Sequence, residues 1–357
     1  MQLLHLLKSQ RLLPEARAIG LVLERILDEC LAADDEEVVI ITDTGNSGCM
    51  LSPLMGAGYF LAAEKQGLPV RVVMQSQRKK GQNAGAAVEH VLDESGFRNI
   101  LILAANALGS TPGIGKSFRK FARARKHKFV SCTSLGSLGT DKLSALMKTV
   151  NIDYAELQAR SSHLKHLLDK AKEIQITTPA GTDLWLGVSG KESHANDGRY
   201  NLPGLGGNLP TGEVYIAPRK KQAEGTIVID GSSRTITGTN IVRNPIIMRV
   251  KEGDVTEIRG SQEAKRLEQS IAWAHENSRH PWGVRRIGEF GIGMNPNASL
   301  VGAMIVDEKT MNTAHVAIGS NHWFGGTVYS LIHLDQVMKN PDIFLDGEPL
   351  DKQLYSF

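Results

Sequence analysis

The chain has 357 residues, a length that predicts two domains and a sizeable buried core. Its 41 basic and 38 acidic residues give a formal charge of +3, which argues against a protein that coats nucleic acid or an anionic membrane. Three scattered cysteines are too few for a disulfide framework or a cysteine zinc site. The longest apolar runs fall far short of the ~20 residues that a membrane span needs. We therefore expect a cytoplasmic protein with neither nucleic acid nor membrane as partner.

The first half of the sequence alternates strands with helices. The run 37–42 (EVVIIT) is continuous and β-branched, as expected of a buried parallel strand. Such alternation predicts a parallel sheet covered by helices on both faces. The other predicted elements are helices at 16–32 and 55–66 and strands at 70–74, 99–105 and 129–132.

A polar, helix-favouring stretch at 153–172 marks the predicted domain boundary. The second half has a different pattern, in which short strands are joined by turns and interrupted by a helix at 261–276. We predict an N-terminal parallel-sheet α/β domain at 1–165 and a C-terminal mixed α+β metal-binding domain at 166–357. The predicted strands of the second half lie at 173–177, 183–188, 226–230 and 246–251.

Two segments of the first half carry weaker functional signals. Gly115, Lys116 and Ser117 match the end of a phosphate-binding loop, but the first glycine of that pattern falls on Ser110. We interpret the segment as a tight strand-to-helix turn. The stretch 116–128 holds seven Lys or Arg residues in thirteen, which is typical of a solvated helix face or a subunit contact as well as of nucleic-acid binding.

The chemistry is concentrated near the C-terminus. His333 and Asp335 are separated by one residue, so on an extended strand both side chains point to the same side. An imidazole and a carboxylate that converge in this way suit zinc, cobalt, manganese or ferrous iron. His315 begins an apolar run that we expect to form the neighbouring strand, which would place it beside His333.

Two carboxylates upstream complete the predicted site. Glu289 is flanked by glycine and apolar residues, so we expect it to be buried, where a charge must be paired or bind a metal. Glu213 lies where a loop rich in glycine and proline enters a short apolar strand. Three carboxylates and two imidazoles suit two divalent ions that polarise a carbonyl and activate a water molecule for hydrolysis.

Four segments around these residues, NLPTGEVYIAP, GEFGIGMNPNA, TAHVAIG and HLD, together resemble the aminopeptidase T / aminopeptidase S family of leucyl metalloaminopeptidases. The resemblance runs from about Asp183 to the C-terminus, with a weaker match in the first half. It implies a homodimeric hydrolase that removes N-terminal residues from short peptides, with two divalent ions (Zn, Co or Mn). Glu289 would bridge the ions or act as general base. The implied metal ligands are Glu213, Glu289, His315, His333 and Asp335.

The sequence departs from the family pattern near the expected substrate. His322 stands where the family has a tyrosine, and we assign it a catalytic role because a protonated imidazole can stabilise an oxyanion. The segment 202–208 resembles an insertion before the first ligand. In the polar stretch 190–200, a carboxylate would bind a free amine and a guanidinium would bind a carboxylate. The predicted substrate-binding residues there are Glu192, His194 and Arg199.

Two alternatives stay open. The same fold resembles that of the 2,5-dihydroxypyridine 5,6-dioxygenases, which hold one Fe(II) with two histidines and an aspartate. In that case His333 and Asp335 remain ligands, and either His315 or His280 supplies the second imidazole. The presence of both Glu213 and Glu289 favours the two-metal hydrolase. The second alternative is a non-catalytic relative that binds a peptide or another partner.

Overall fold

The computed structural model describes residues 2–79, 81–115, 117–279 and 281–350. Lys116 and His280, which entered the sequence analysis, lie outside these ranges. The chain divides into two compact units. Unit 1 comprises the chain up to Tyr154 and the segment Gly198–Thr211, and unit 2 comprises Ala155–Asp197 and the chain from Gly212 onward. The grouping differs from the predicted domains in two places. Residues 155–165 belong to unit 2, and residues 198–211 belong to unit 1.

The helices and strands are numbered here along the chain. The helices are α1 (Gln2–Ser9), α2 (Leu13–Arg25), α3 (Leu51–Lys65), α4 (Ala86–Asp93), α5 (Phe118–Ala124), α6 (Leu143–Val150), α7 (Tyr154–Lys170), α8 (Gln262–Asn277) and α9 (Met304–Asp307). The strands are β1 (Val38–Asp43), β2 (Val70–Gln75), β3 (Ile100–Leu103), β4 (Lys128–Ser131), β5 (Glu173–Thr177), β6 (Asp183–Gly187), β7 (Ser193–Asn196), β8 (Gly206–Asn208), β9 (Glu213–Ile216), β10 (Ala223–Ile229), β11 (Ser232–Thr235), β12 (Gly238–Ile241), β13 (Ile246–Lys251), β14 (Asp254–Arg259), β15 (Ile287–Gly293), β16 (Thr313–Gly319), β17 (His333–Lys339), β18 (Asp342–Leu345) and β19 (Glu348–Pro349).

Unit 1 is built on a parallel sheet in the order β2-β1-β3-β4-β8. Every residue of β1 is buried, as its continuous apolar run predicts. On one face Val39 packs with Leu101 of β3 and with Phe121 of α5. On the opposite face Gly56 of α3 approaches β1 so closely that a Cβ there would lie 2.9 Å from that of Thr42. The predicted α/β class of this half is confirmed.

The last strand of the unit 1 sheet comes from far along the chain. The segment 202–208, which resembles an insertion in the sequence, contains β8, and β8 pairs in parallel with β4. Gly206 is needed for this pairing because a Cβ there would lie 2.3 Å from the carbonyl oxygen of Phe129. The segment is therefore part of the sheet of unit 1, and its glycines allow the two backbones to approach.

Unit 2 contains two antiparallel sheets. One has the order β14-β13-β10-β6-β5-β18-β19, and the other has the order β12-β11-β17-β16-β15-β9-β7. In β13 buried and exposed residues alternate strictly, which is the pattern of a strand with one face on the core. The predicted mixed α+β character of this half is confirmed.

None of the helices in the described part of the chain is long and apolar enough to cross a membrane. The cytoplasmic location and the homodimer stay predictions.

Candidate metal centre

Four neighbouring strands of unit 2 carry the five predicted ligands. The strands β17, β16, β15 and β9 lie side by side in one sheet. Glu213 begins β9, Glu289 lies in β15, and His315 lies in β16. His333 begins β17, which also contains Asp335. The structure thus brings together side chains that lie in four separate segments of the sequence.

The strand register places these side chains on one face of the sheet. Glu289 pairs with Ala317, and Ala317 pairs with Asp335, so the three residues form a row across β15, β16 and β17. Side chains of directly paired residues lie on the same side. His315 and His333 are each two residues from a member of this row and share its face, because side chains alternate along a strand.

Glycines opposite two ligands leave space for their side chains. Gly291 pairs with His315, and Gly293 pairs with Glu213. A Cβ at Gly291 would lie 2.3 Å from both Cε1 and Nε2 of His315. The imidazole therefore lies directly over the glycine, where only a residue without a side chain fits.

A β-bulge directs Glu289 toward the other ligands. The register between β15 and β16 shifts between Ile287 and Glu289, so Gly288 is the extra residue. A Cβ at Gly288 would lie 2.5 Å from the carbonyl oxygen of Gly319. Bulges bend a strand and redirect side chains, and they are common beside active sites.

Glu289 lies at the centre of the cluster. Its Oε1 is 3.3 Å from Nε2 of His315, and its Oε2 is 3.6 Å from Nε2 of His333. The same nitrogen of His333 is 3.0 Å from Oδ1 of Asp335, and Nε2 of His315 is 3.7 Å from Oε2 of Glu213. Two groups of possible metal ligands result, and they share Glu289.

In each group the donor atoms lie within 4.8 Å of one another. The first group is Glu213, Glu289 and His315, and the second is Glu289, His333 and Asp335. Imidazole nitrogen combined with carboxylate oxygen suits divalent zinc, manganese, cobalt or iron. The donor chemistry therefore fits a metal ion, as the sequence predicts.

The two histidines differ in their outer hydrogen bonds. Nδ1 of His333 donates to the backbone carbonyl of Ser320 at 2.7 Å, which leaves Nε2 free to bind a metal. Nδ1 of His315 is buried and, among the described residues, has no hydrogen-bond partner. Ligating histidines almost always donate their second ring nitrogen, so only His333 has the usual support of a ligand.

The charges around each imidazole stabilise its protonated form. Burial lowers the pKa of His315, but the hydrogen bond to Glu289 and the charge of Glu213 outweigh burial and raise it to about 9. Burial is likewise outweighed at His333, where the charge and hydrogen bond of Asp335 raise the pKa to about 10. At Asp335 burial opposes ionisation, but the charge and hydrogen bond of His333 hold its pKa well below the usual range.

Two cationic residues at the site, Lys309 and Arg234, are not predicted from the sequence. Lys309 is fully buried, and its Nζ lies 2.5 Å from Oε1 of Glu213 and also contacts Glu308. Arg234 in β11 reaches Asp335, with 3.7 Å between Nη1 and Oδ2. Lys309 follows two acidic residues in the sequence, a pattern typical of an exposed surface, so only the folded chain reveals its burial.

Two of the predicted functional residues, His322 and His194, contact residues outside the two groups of possible metal ligands. His322 is exposed in the 3-10 turn His322–Phe324, and its Nδ1 shares a hydrogen bond of 2.8 Å with Oγ of Ser320. His194 in β7 uses Nε2 to contact the carbonyl oxygen of Phe324 at 3.0 Å. Neither belongs to a group of possible metal ligands.

The two other predicted substrate-binding residues, Glu192 and Arg199, are exposed. Glu192 is 76% exposed and lies 3.6 Å from Nζ of Lys165. Arg199 is exposed and belongs to unit 1. A role in substrate binding stays a prediction for both residues.

Comparison with known proteins decides the family. The family model of 2,5-dihydroxypyridine 5,6-dioxygenase (NicX) matches residues 19–353. The chain belongs to the 2,5-dihydroxypyridine 5,6-dioxygenase family. A curated relative, the 2,5-dihydroxypyridine 5,6-dioxygenase of Pseudomonas putida KT2440, is 26% identical over 191 residues. That alignment covers 51% of this chain and 53% of the relative, so the chain spans about half the length of the curated relative.

Two solved structures share the fold of this dioxygenase family member. The 2,5-dihydroxypyridine dioxygenase of P. putida KT2440 superposes with a TM-score of 0.72 at 18% identity, covering 93% of this chain and 94% of that one. Wild-type AmpT from Thermus thermophilus superposes with a TM-score of 0.60, also at 18% identity, covering 94% and 98%. Both comparisons establish the fold, which agrees with the aminopeptidase-like fold predicted from sequence.

The predicted aminopeptidase function is wrong. The family match over nearly the whole chain and the curated relative both name a dioxygenase, so the chain is in an enzyme family but is neither a hydrolase nor a metalloprotease. The error has a physical origin, because the residues that suit a two-metal hydrolase are all present. Their presence did not reveal which of them bind metal.

Gly291→Ala tests the close contact with His315. The added methyl group takes the space of the imidazole, so we expect metal affinity to fall by about 10–100-fold, as when the support of a metal site is lost. Affinity is measured by competition with a chromophoric chelator. In a His315→Ala background the same substitution should have little further effect, and an equal loss in both backgrounds would contradict this explanation.

Metal binding should release protons and strengthen as pH rises. In the metal-free protein the neighbouring carboxylates outweigh burial and raise the pKa of His315 to about 9 and that of His333 to about 10, which favours the protonated imidazoles at pH 7. A ligating imidazole must lose that proton. Calorimetric titrations with metal at pH 6–9, in buffers of different ionisation enthalpy, should show proton release and an affinity that increases with pH. A metal affinity that does not change between pH 6 and pH 9 would contradict the assignment of a histidine ligand.

Proposed function

We propose that this protein is a mononuclear Fe(II) dioxygenase that opens the ring of a dihydroxypyridine or a closely similar heteroaromatic compound. Membership of the dioxygenase family supports the reaction class. The observation that carries the metal assignment is the convergence of His333 and Asp335, whose donor atoms meet beside Glu289 on one face of the unit 2 sheet. A carboxylate and an imidazole supported by Ser320 form the core of such an iron site.

His333 and Asp335 would hold the iron, and the remaining ligand is a second imidazole, as in sites with two histidines and one carboxylate. Of the two histidines left open by the sequence, His315 belongs to the other group and contacts Glu213 as well as Glu289. We therefore assign the second imidazole to His280. When bound, Fe(II) would supply the redox chemistry that allows molecular oxygen to react with an electron-rich ring.

The chain's own residues have roles in orientation and proton transfer. Glu289 is buried, and its Oε1 is hydrogen-bonded to His315, which leaves Oε2 directed toward His333. We assign this Oε2 as the atom that accepts the proton from a substrate hydroxyl when the substrate binds. Arg234 holds the carboxylate of Asp335 from the neighbouring strand and so helps to keep it ionised.

Aromatic side chains next to His333 provide the surface for a heteroaromatic substrate. The indole of Trp323 packs edge-on against the His333 ring, with 4.9 Å between ring centroids, and remains 50% exposed. Aromatic rings bind one another through offset or edge-to-face contacts. Trp323 is thus the residue that we assign to contact the substrate ring, and an aliphatic peptide would gain less from it.

The direct test is oxygen consumption by the purified, Fe(II)-loaded protein with 2,5-dihydroxypyridine. We expect stoichiometric uptake of oxygen that a chelator abolishes, while a leucyl chromogenic peptide analogue is not hydrolysed. His333→Ala and Asp335→Ala should each abolish oxygen uptake. His275→Ala, which removes an exposed histidine from α8, should leave it unchanged. An iron-loaded protein that consumes no oxygen with any dihydroxypyridine would favour a non-catalytic binding relative.

The identity of the second imidazole is tested by iron content. We expect His280→Ala to lose bound iron as completely as His333→Ala, because an iron site of this class needs two imidazoles. His315→Ala should retain most of its iron when loaded with excess Fe(II), because loss of a supporting residue lowers the affinity by about 10–100-fold and leaves the ligands in place. The opposite pattern, in which His315→Ala loses iron and His280→Ala keeps it, would transfer the role to His315. Iron is measured by elemental analysis after removal of unbound metal.

A further inference from the structure

The two groups of possible metal ligands are not equally able to hold an ion. They share Glu289, and each adds one histidine and one further carboxylate. Asp335 in the second group faces the partly exposed guanidinium of Arg234 at 3.7 Å. Glu213 in the first group instead has a fully buried ammonium at 2.5 Å from one of its oxygens. The first group therefore already contains a positive charge.

We propose that the ammonium of Lys309 takes the role of a second metal ion and so keeps this site mononuclear. The inference rests on the proposed function, since it assumes one ion at His333 and Asp335. Lys309 binds Glu213 on one side and Glu308 on the other, and its side chain has no exposure to solvent. A divalent ion in the first group would lie beside this ammonium, and like charges repel strongly where water is absent.

The fold holds Lys309 in place from several directions. Its backbone N–H donates to the carbonyl of Val306 at the end of α9, and its carbonyl accepts from the N–H of Asn295 just after β15. Gly293, which pairs with Glu213, allows this approach, because a Cβ there would lie 2.0 Å from the carbonyl oxygen of Thr310. The ammonium is therefore directed to Glu213 by the backbone and not by a flexible surface loop.

The hydrogen bonds of His315 agree with this assignment. A histidine that binds metal through Nε2 carries its proton on Nδ1, and that proton almost always has an acceptor. For His315 the described chain offers Nδ1 no acceptor, although the ring is buried. Its Nε2 instead faces Glu289 and Glu213. His315 is thus suited to hydrogen-bond and orient Glu289, as a positioning residue beside the ion.

The charges of the cluster balance with a single divalent ion. Four carboxylates meet here, and the protein supplies two cations, Lys309 and Arg234. One divalent ion completes neutrality when His333 binds it as a neutral ligand and the His315 ring beside it is also uncharged. A second ion would leave an excess of positive charge in a buried place, where unbalanced charge is costly. The four carboxylates are those of Glu213, Glu289, Glu308 and Asp335.

The test measures how many ions each variant binds, in the full-length protein. Elemental analysis after equilibration with excess Mn(II) should give about one ion per chain in the wild type and about two in Lys309→Met, because the freed Glu213 then completes a second site. Electron paramagnetic resonance should show isolated Mn(II) in the wild type and an exchange-coupled pair in Lys309→Met. Lys309→Arg retains the cation and should keep one ion.

Controls separate the effect on Glu213 from a general loss of positive charge. The double variant Lys309→Met, Glu213→Gln lacks the freed carboxylate and should return to one ion. Lys339→Met removes a half-exposed lysine of β17 that pairs with Asp230, and it should keep the wild-type stoichiometry. A folded Lys309→Met that still binds one ion under saturating Mn(II), or a wild type that binds two, would overturn the inference.

Two further outcomes are distinguishable from these. If the wild type binds neither Mn(II) nor Fe(II), the result would contradict the proposed function itself and not only the role of Lys309. If Lys309→Met does not fold, as judged by circular dichroism, the wild-type titration with excess Mn(II) and its resonance spectrum still decide whether one ion or a coupled pair is bound.

Discussion

Buried negative charge is the constraint on which the centre of unit 2 depends. Three carboxylates lie on one face of a sheet where Glu213, Glu289 and Asp335 are almost inaccessible to water. An ion left without a partner in such a place costs about 3–5 kcal/mol or more. The surrounding residues offset this cost with an ammonium, a guanidinium and two imidazoles, and the donor atoms also suit a metal ion. The pairing of these cations with particular carboxylates determines which carboxylates remain available to bind metal.

The sheet itself makes such a dense cluster possible. Antiparallel pairing places side chains from neighbouring strands about 5 Å apart, close enough for several of them to share one ion. Large side chains can crowd together only if the positions between them are small. Gly291, Gly293 and Ala317 occupy those positions, and the bulge at Gly288 turns Glu289 toward both histidines. The glycines of this region are therefore needed for the ligand side chains to lie close together.

The relation to AmpT shows that one fold is shared by this chain, a dihydroxypyridine dioxygenase and AmpT. This chain has five clustered residues that suit metal ions, and its family match is to the dioxygenases. Under our proposals, a lysine beside the ligands and a further histidine outside the five favour a single iron ion in this chain.

The sequence by itself determined the class of each half of the chain and the residues that cluster. Hydrophobic runs predicted the strands β1 to β4, and the spacing of His333 and Asp335 placed both on one side of a strand, because these features depend on local backbone geometry alone. Only the tertiary structure decided what local geometry cannot determine. It joined β8 to the sheet of unit 1 across a long stretch of sequence, and it buried Lys309 against Glu213. Burial and pairing of a charge depend on the neighbours that the folded chain supplies, so a lysine in an acidic stretch looked like a surface residue until those neighbours were in place.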